Sequence, residues 1–176
     1  MPDKMRKCFA KWRCELSDKY TCCFIGHRRI DETEELRTRL YETIERLITC
    51  ENADTFLFGS KSRFDSLCLE LVTKLKEKHP HIKRVYVRAE YPDIGEEYEA
   101  YLLKAYEHTY YPERLMRAGR AAYVVRNREM IDKSRFCIFY YDEKNAPSTR
   151  KSGTKTALDY ALKKEKRIII FPENKK

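Results

Sequence analysis

Three short stretches set a glycine among side chains that bind anions: GHRR at 26–29, GSKS at 59–62 and KSGTKT at 151–156. Glycine lets backbone amides approach a ligand closely, and a helix that opens beside it adds a partial positive charge. Gly26 with His27 and Arg28, Gly59 with Ser60, and Ser152 with Gly153 and Thr154 therefore read as parts of a phosphate cradle. Within it, the planar fork of Arg28 suits a phosphate, and His27 is expected to donate to a phosphate or ribose oxygen. Gly26 is expected to turn the chain without placing a side chain in the pocket, and Arg29 to face solvent. Neither GSKS nor KSGTKT is a Walker A loop, because GxxxxGK[ST] is absent, and no GxGxxG occurs.

Further candidates lie around these turns. Asp65 follows the second cradle, GSKS, by about a helical turn, where an ionised acceptor serves equally as a helix cap or a ribose contact. Arg126 and Asn127 either begin a helix, with Asn127 as its cap, or join the site. Glu90 ends an apolar run and is placed to accept from a ribose, or to act as acid or base in a hydrolysis. Tyr91, Tyr110 and Tyr111 offer faces on which a base can stack. Lys151 and Lys155 read as a solvated basic loop. No convincing pair of nucleophile and base is legible, which favours binding over turnover.

The elements that must position these residues are written in the apolar pattern. Strands are expected at 20–26, 55–60, 84–89, 136–142 and 167–171, runs without in-out alternation that suit a sheet covered on both faces. Between them, Leu36, Leu40, Ile44, Leu47 and Ile48 form one helical stripe behind an Asp31/Glu34 capping box. Phe64, Leu67, Cys68, Leu71, Val72 and Leu75 form a second, capped by Ser62 and ending before Pro80. Ala157, Leu158, Ala161 and Leu162 form the inner face of a third, and Met130 and Ile131 read as core. Alternating strands and helices imply right-handed βαβ units and a parallel sheet. Residues 90–135 are too long for one crossover and are expected to add two or three helices and an irregular, tyrosine-rich arm between strands three and four.

Composition sets the bounds. The 176 residues suit one domain, 19–176, behind a basic arm at 1–18 that Phe9 and Trp12 can anchor. No apolar run approaches the roughly 20 residues of a membrane span, and no secretory leader is legible, so a cytoplasmic protein without a membrane partner is expected. The net charge of +9 favours an anionic partner, although 28 acidic residues interleave with the bases. The 7 cysteines include no CxxC, and Cys22, Cys23, Cys68 and Cys137 sit in apolar runs or helices, so reduced core thiols are expected. Cys8 and Cys14 are too far apart for a typical zinc-knuckle pair, and neither a metal nor a required cofactor is expected.

Taken in order, CCFIGHR, FLFGSKSRFDSLC, RNREMIDKSRFCIFYYD and KSGTKTALDYA resemble the YpsA-like branch of the SLOG superfamily from about residue 20 onward. The resemblance implies a Rossmann-like open parallel sheet of about five strands with helices on both faces. It implies a nucleotide or nucleotide-derived ligand at the strand ends, and a homo-oligomer. Gly26, His27 and Arg28 match the family's GHR; Gly59, Ser60 and Asp65 its second glycine motif; Arg126 and Asn127 its RN; Ser152, Gly153 and Thr154 its glycine-threonine turn. The LOG hydrolases of the superfamily carry PGGxGTxxE, whereas Thr149, Arg150 and Lys151 replace the PGG here and Ala157 stands at the glutamate position. The expected function is therefore a sensor or sponge for a nucleotide signal, ADP-ribose-like or cyclic, in bacterial or phage conflict. A hydrolase of an N-glycosidic or phosphoester bond is the alternative, and a DprA-like binder of single-stranded nucleic acid ranks behind both.

Overall fold

The computed structural model describes residues 18–59, 61–143 and 152–172. The chain runs β1 (Thr21–Gly26), α1 (Glu34–Glu51), β2 (Thr55–Phe58), α2 (Arg63–Lys78), β3 (Lys83–Val87), α3 (Glu96–Leu103), β4 (His108–Tyr110), α4 (Ala122–Asp132), β5 (Phe136–Tyr140), α5 (Gly153–Lys163) and β6 (Arg167–Phe171). The strands form one parallel sheet in the order β4-β3-β2-β1-β5-β6.

Alternate side chains of these strands feed two cores, as the pleat requires. On one face Cys22, Phe24, Phe56 and Phe58 pack against the stripes of α1 and α2, with the Phe24 and Phe58 rings stacked 5.0 Å apart. On the other, Cys23, Leu57, Val85, Cys137 and Phe139 pack against Met130 and Ile131 of α4 and Ala157, Leu158 and Ala161 of α5. Each large side chain removed from water in this way contributes about 1.5–3 kcal/mol. The result is an α/β protein of Rossmann-like architecture with helices on both faces. No helix among the described residues is long and apolar enough to cross a membrane.

Local signals account for the helix ends. Ser62 caps α2 by accepting from the Asp65 amide at 3.1 Å. α1 stops at Asn52, whose left-handed backbone lets its N–H reach the Leu47 carbonyl. Its start differs from the expected Asp31/Glu34 box. The cap is Thr33, whose hydroxyl accepts from Leu36 N, while the Asp31 amide donates to the Tyr140 hydroxyl.

The sheet has six strands rather than about five. The sixth, β4, lies inside the tyrosine-rich insert, a three-residue edge strand with no fully buried side chain and hence no apolar run to announce it. α4 opens at Ala122, so Asn127 is interior to the helix and not its cap. Leu162 of α5 is exposed rather than inward-facing, and β6 is a half-exposed edge rather than a covered strand. Cys22, Cys23, Cys68 and Cys137 are buried free thiols, and burial pushes Cys22 and Cys68 well above the ordinary thiol value. The arm at 1–17, with Cys8 and Cys14, lies outside the described residues, as do Ser60 and 149–151.

Candidate functional site

The strand order fixes where a cleft must open. β1 is flanked by β2, reached through α1 on one face, and by β5, reached through α4 on the other. At this reversal the connections leave β1 and β5 toward opposite faces, so a crevice forms beyond their carboxyl ends, where open α/β sheets bind ligands. Register places Gly26 beside Tyr140 at the lip. The crevice is a cleft of about 520 Å³ lined by His27, Arg28, Arg29, Ile30, Asp31, Tyr140 and Asp142.

The turn after β1 is held firmly. The Arg28 carbonyl accepts from Arg63 N at 3.0 Å, and the Asp31 amide donates to Tyr140 Oη at 3.2 Å. His27 Nε2 accepts from the Asp142 amide at 3.1 Å, and its ring stacks on Tyr141 with centroids 5.5 Å apart. An imidazole nitrogen that accepts carries no proton, so the neutral ring holds its hydrogen on Nδ1. Burial lowers the His27 value and the nearby Asp142 carboxylate opposes the shift. His27 is thus first a tie between β1 and β5, and only Nδ1 is left to donate. Arg28 and Arg29 are exposed. Arg29 lines the cleft beside Arg28, a role beyond the solvent-facing one expected of it.

The three glycines have three different physical reasons. A Cβ on Gly26 would lie 2.3–2.7 Å from Phe64 Cδ1, Cγ and Cβ, so this glycine makes room for α2 rather than keeping a pocket clear. A Cβ on Gly59 would lie 2.6 Å from Met130 Sδ and 2.7–2.8 Å from Arg126 Cδ and Nε, so the space above Gly59 is filled by α4 side chains. At Gly153 a Cβ would meet nothing within 4 Å among the described residues.

The predicted residues therefore divide. His27 and Arg28 share the cleft with Tyr140 and Asp142. Gly59, Asp65, Glu90 and Arg126 gather at the ends of β2 and β3. Arg126 is 3% exposed, lies over the Tyr123 ring at 5.7 Å, donates from Nε to Asn127 Oδ1 at 3.0 Å, and leaves Nη1 without a hydrogen-bond partner among the described residues. Burial pushes its guanidinium below the ordinary value, with Asp65 and Glu90 among the charges that counter this. Glu90 Oε2 accepts from the Ala89 amide at 3.3 Å. Asn127 and Gly153 both line a narrow seam between α4 and α5, away from the cleft lining. Ser152 caps α5 by accepting from Lys155 N at 3.0 Å, and Thr154 is buried in its first turn. Lys155 pairs with Asp159 at 3.0 Å and lies 5.6 Å from the centre of the Tyr141 ring, which brings the start of α5 up to the His27 side of the cleft.

The pattern of single runs hid two features. Tyr140 and Asp142 became site residues only once β5 paired with β1, although the rule that ligands lie where strand order reverses points there. Arg88 at the end of β3 is 5% exposed and donates from Nη1 to the Tyr91 and Pro92 carbonyls at 3.0 and 3.2 Å, bracing the loop that carries Glu90. Comparison with protein-family models gives no match, and no curated protein matches the chain by sequence.

Proposed function

We propose that this chain binds a phosphorylated nucleoside derivative, ADP-ribose-like or cyclic, in the cleft beyond β1 and β5, and acts as a sensor or a sponge for that signal. The observation that carries the proposal is the cleft at the reversal of strand order, with the exposed Arg28 and Arg29 on its wall. Its volume lies within the roughly 300–1,000 Å³ of small-molecule sites. The helix ends around it support a direction for the ligand. α1 and α2 carry Glu34, Glu35 and Asp65 in their first turns, which already answer the helix dipole, whereas α5 carries no acid there. A phosphate is best received between Arg28 and the start of α5, with the base against the Tyr141 and His27 rings.

Binding without turnover suits the hydroxyls and the imidazole. The Ser62 and Ser152 hydroxyls serve as helix caps, and His27 Nε2 is engaged by a backbone amide. The proposal extends to the YpsA-like SLOG resemblance, to a role in bacterial or phage conflict, and to a homo-oligomer that covers the exposed Ile170 and Leu162. Light scattering on the purified protein tests the oligomer.

Thermal shift against a panel of AMP, ADP-ribose and cyclic nucleotides tests the ligand. A nucleotide present at about 100 times its Kd stabilises the native state by about 2.7 kcal/mol. No shift with any of them, together with no nucleotide released on denaturation, refutes the proposal. Chromatography of the same mixtures separates a binder, which returns its ligand intact, from a hydrolase. Oligonucleotide affinity that falls steeply with salt would instead favour the single-strand binder.

A further inference from the structure

The turn from His27 to Asp31 has no regular structure, yet it must present Arg28 and Arg29 in a fixed direction. Next to it, Glu32 belongs to a closed ring of four charges. Its carboxylate accepts from Arg63 in a two-point fork, Nε to Oε2 at 2.6 Å and Nη2 to Oε1 at 2.9 Å, and from Arg37 Nη1. Glu70 closes the ring, accepting from Arg63 Nη1 at 3.0 Å and Arg37 Nη2 at 3.3 Å. Arg37 lies on α1, Arg63 and Glu70 on α2, and Glu32 alone on the connection from β1 to α1, directly after the turn.

That placement separates two jobs. Glu70 on α2 pairs with Arg37 on α1, so the helices stay linked without Glu32. What Glu32 adds is the turn, since the same Arg63 whose amide holds the Arg28 carbonyl also grips the Glu32 carboxylate. We infer that Glu32 is a positioning residue, which holds the His27–Asp31 turn in the geometry that presents Arg28 and Arg29 to an anionic ligand and couples that turn to the start of α2. The ligand part of this inference rests on the cleft being the nucleotide site proposed above; the coupling of the turn to α2 does not.

The experiment compares Glu32→Ala with Glu70→Ala, which remove one carboxylate each from the same ring. Native-state hydrogen exchange without ligand reads the coupling: Glu32→Ala accelerates the Asp31 and Arg63 amides together, and Glu70→Ala does not. Calorimetric titration with ADP-ribose reads the consequence. A turn that is competent about one-tenth of the time binds about tenfold more weakly, so Glu32→Ala loses about tenfold while Glu70→Ala stays within about twofold. In an Arg28→Ala/Arg29→Ala background Glu32→Ala has no further effect on affinity. Unchanged exchange in Glu32→Ala, equal losses of affinity in both variants, or a full additional loss in the double-arginine background overturns the inference. If the wild type does not bind ADP-ribose, the cleft proposal is what fails for that ligand, and the exchange result alone decides whether Glu32 positions the turn.

Discussion

Replacing Gly26 by alanine tests why a glycine ends β1. The added methyl would lie 2.3 Å from Phe64 Cδ1, 2.5 Å from Cγ and 2.7 Å from Cβ. These are not the free end of a flexible chain. Phe64 is fully buried in the first turn of α2, and its Cβ moves only if the helix moves. Overpacking of a tight core costs about 1–3 kcal/mol, and contact with a fixed Cβ places this site at the upper end, about 3 kcal/mol. For a chain of this size that lowers Tm by roughly 6–12 °C. Urea denaturation followed by circular dichroism measures the cost directly. Phe64→Ala alone should destabilise by about 3–5 kcal/mol through the cavity it leaves. In that background the Gly26→Ala methyl enters vacated space and should cost under about 1 kcal/mol, a coupling that only contacting residues give. A Gly26→Ala protein of wild-type stability that no longer binds nucleotide would refute the reasoning, for the glycine would then serve the ligand and not Phe64.

Three more expectations follow from the same geometry. Gly153→Ala meets none of the described residues at the start of a helix and should be neutral or stabilising by up to about 1 kcal/mol, while weakening nucleotide binding if phosphate approaches that backbone; calorimetry on one preparation reads both, and marked destabilisation would contradict this reading. His27 is held below the ordinary imidazole value of 6.5, chiefly by burial, so the unfolded chain takes up the proton first as pH falls. Its contribution is complete above that value and lost as pH drops through the window beneath it; urea midpoints at pH 8 and pH 5 should therefore fall further for wild type than for His27→Gln, and an equal fall disproves it. For Asp132, burial alone would raise the carboxyl, but hydrogen bonds from Arg114 and Tyr160, with Lys164, hold it below the usual carboxylate range. The stability it gives to the packing of α4 on α5 is present above the unfolded carboxylate value and lost as pH falls through the folded one, so Asp132→Asn should flatten the acid limb of the stability profile.

Periodicity carried most of the fold. The stripes of α1 and α2 matched the buried apolar residues one for one, because each amphipathic helix has a single way to cover the sheet; Asp65 of α2 is buried beside its stripe. What periodicity did not carry were features set by distant partners. β4 is a strand only because β3 offers an edge, and its residues His108, Thr109 and Tyr110 have no pattern of their own. Glycines gave the right positions and an incomplete cause: Gly26 and Gly59 answer to Phe64 and to Arg126 with Met130, contacts across tens of residues that no local motif encodes. His27 was legible as a residue at the strand end, but the direction of its hydrogen bond depended on where the Asp142 amide lies.

The central place of β1 has a consequence for how the protein is made. Its edge toward β2 can close as soon as β2 emerges from the ribosome, but its other edge waits for β5, roughly a hundred residues later in the chain. At about 5–20 residues per second the wait lasts roughly 5–20 seconds, during which the apolar Cys22–Ile25 segment presents an unpaired strand edge. Nascent chains that stop before Phe136 should therefore be caught by chaperones or aggregate, and release only when the second half of the sheet has been synthesised.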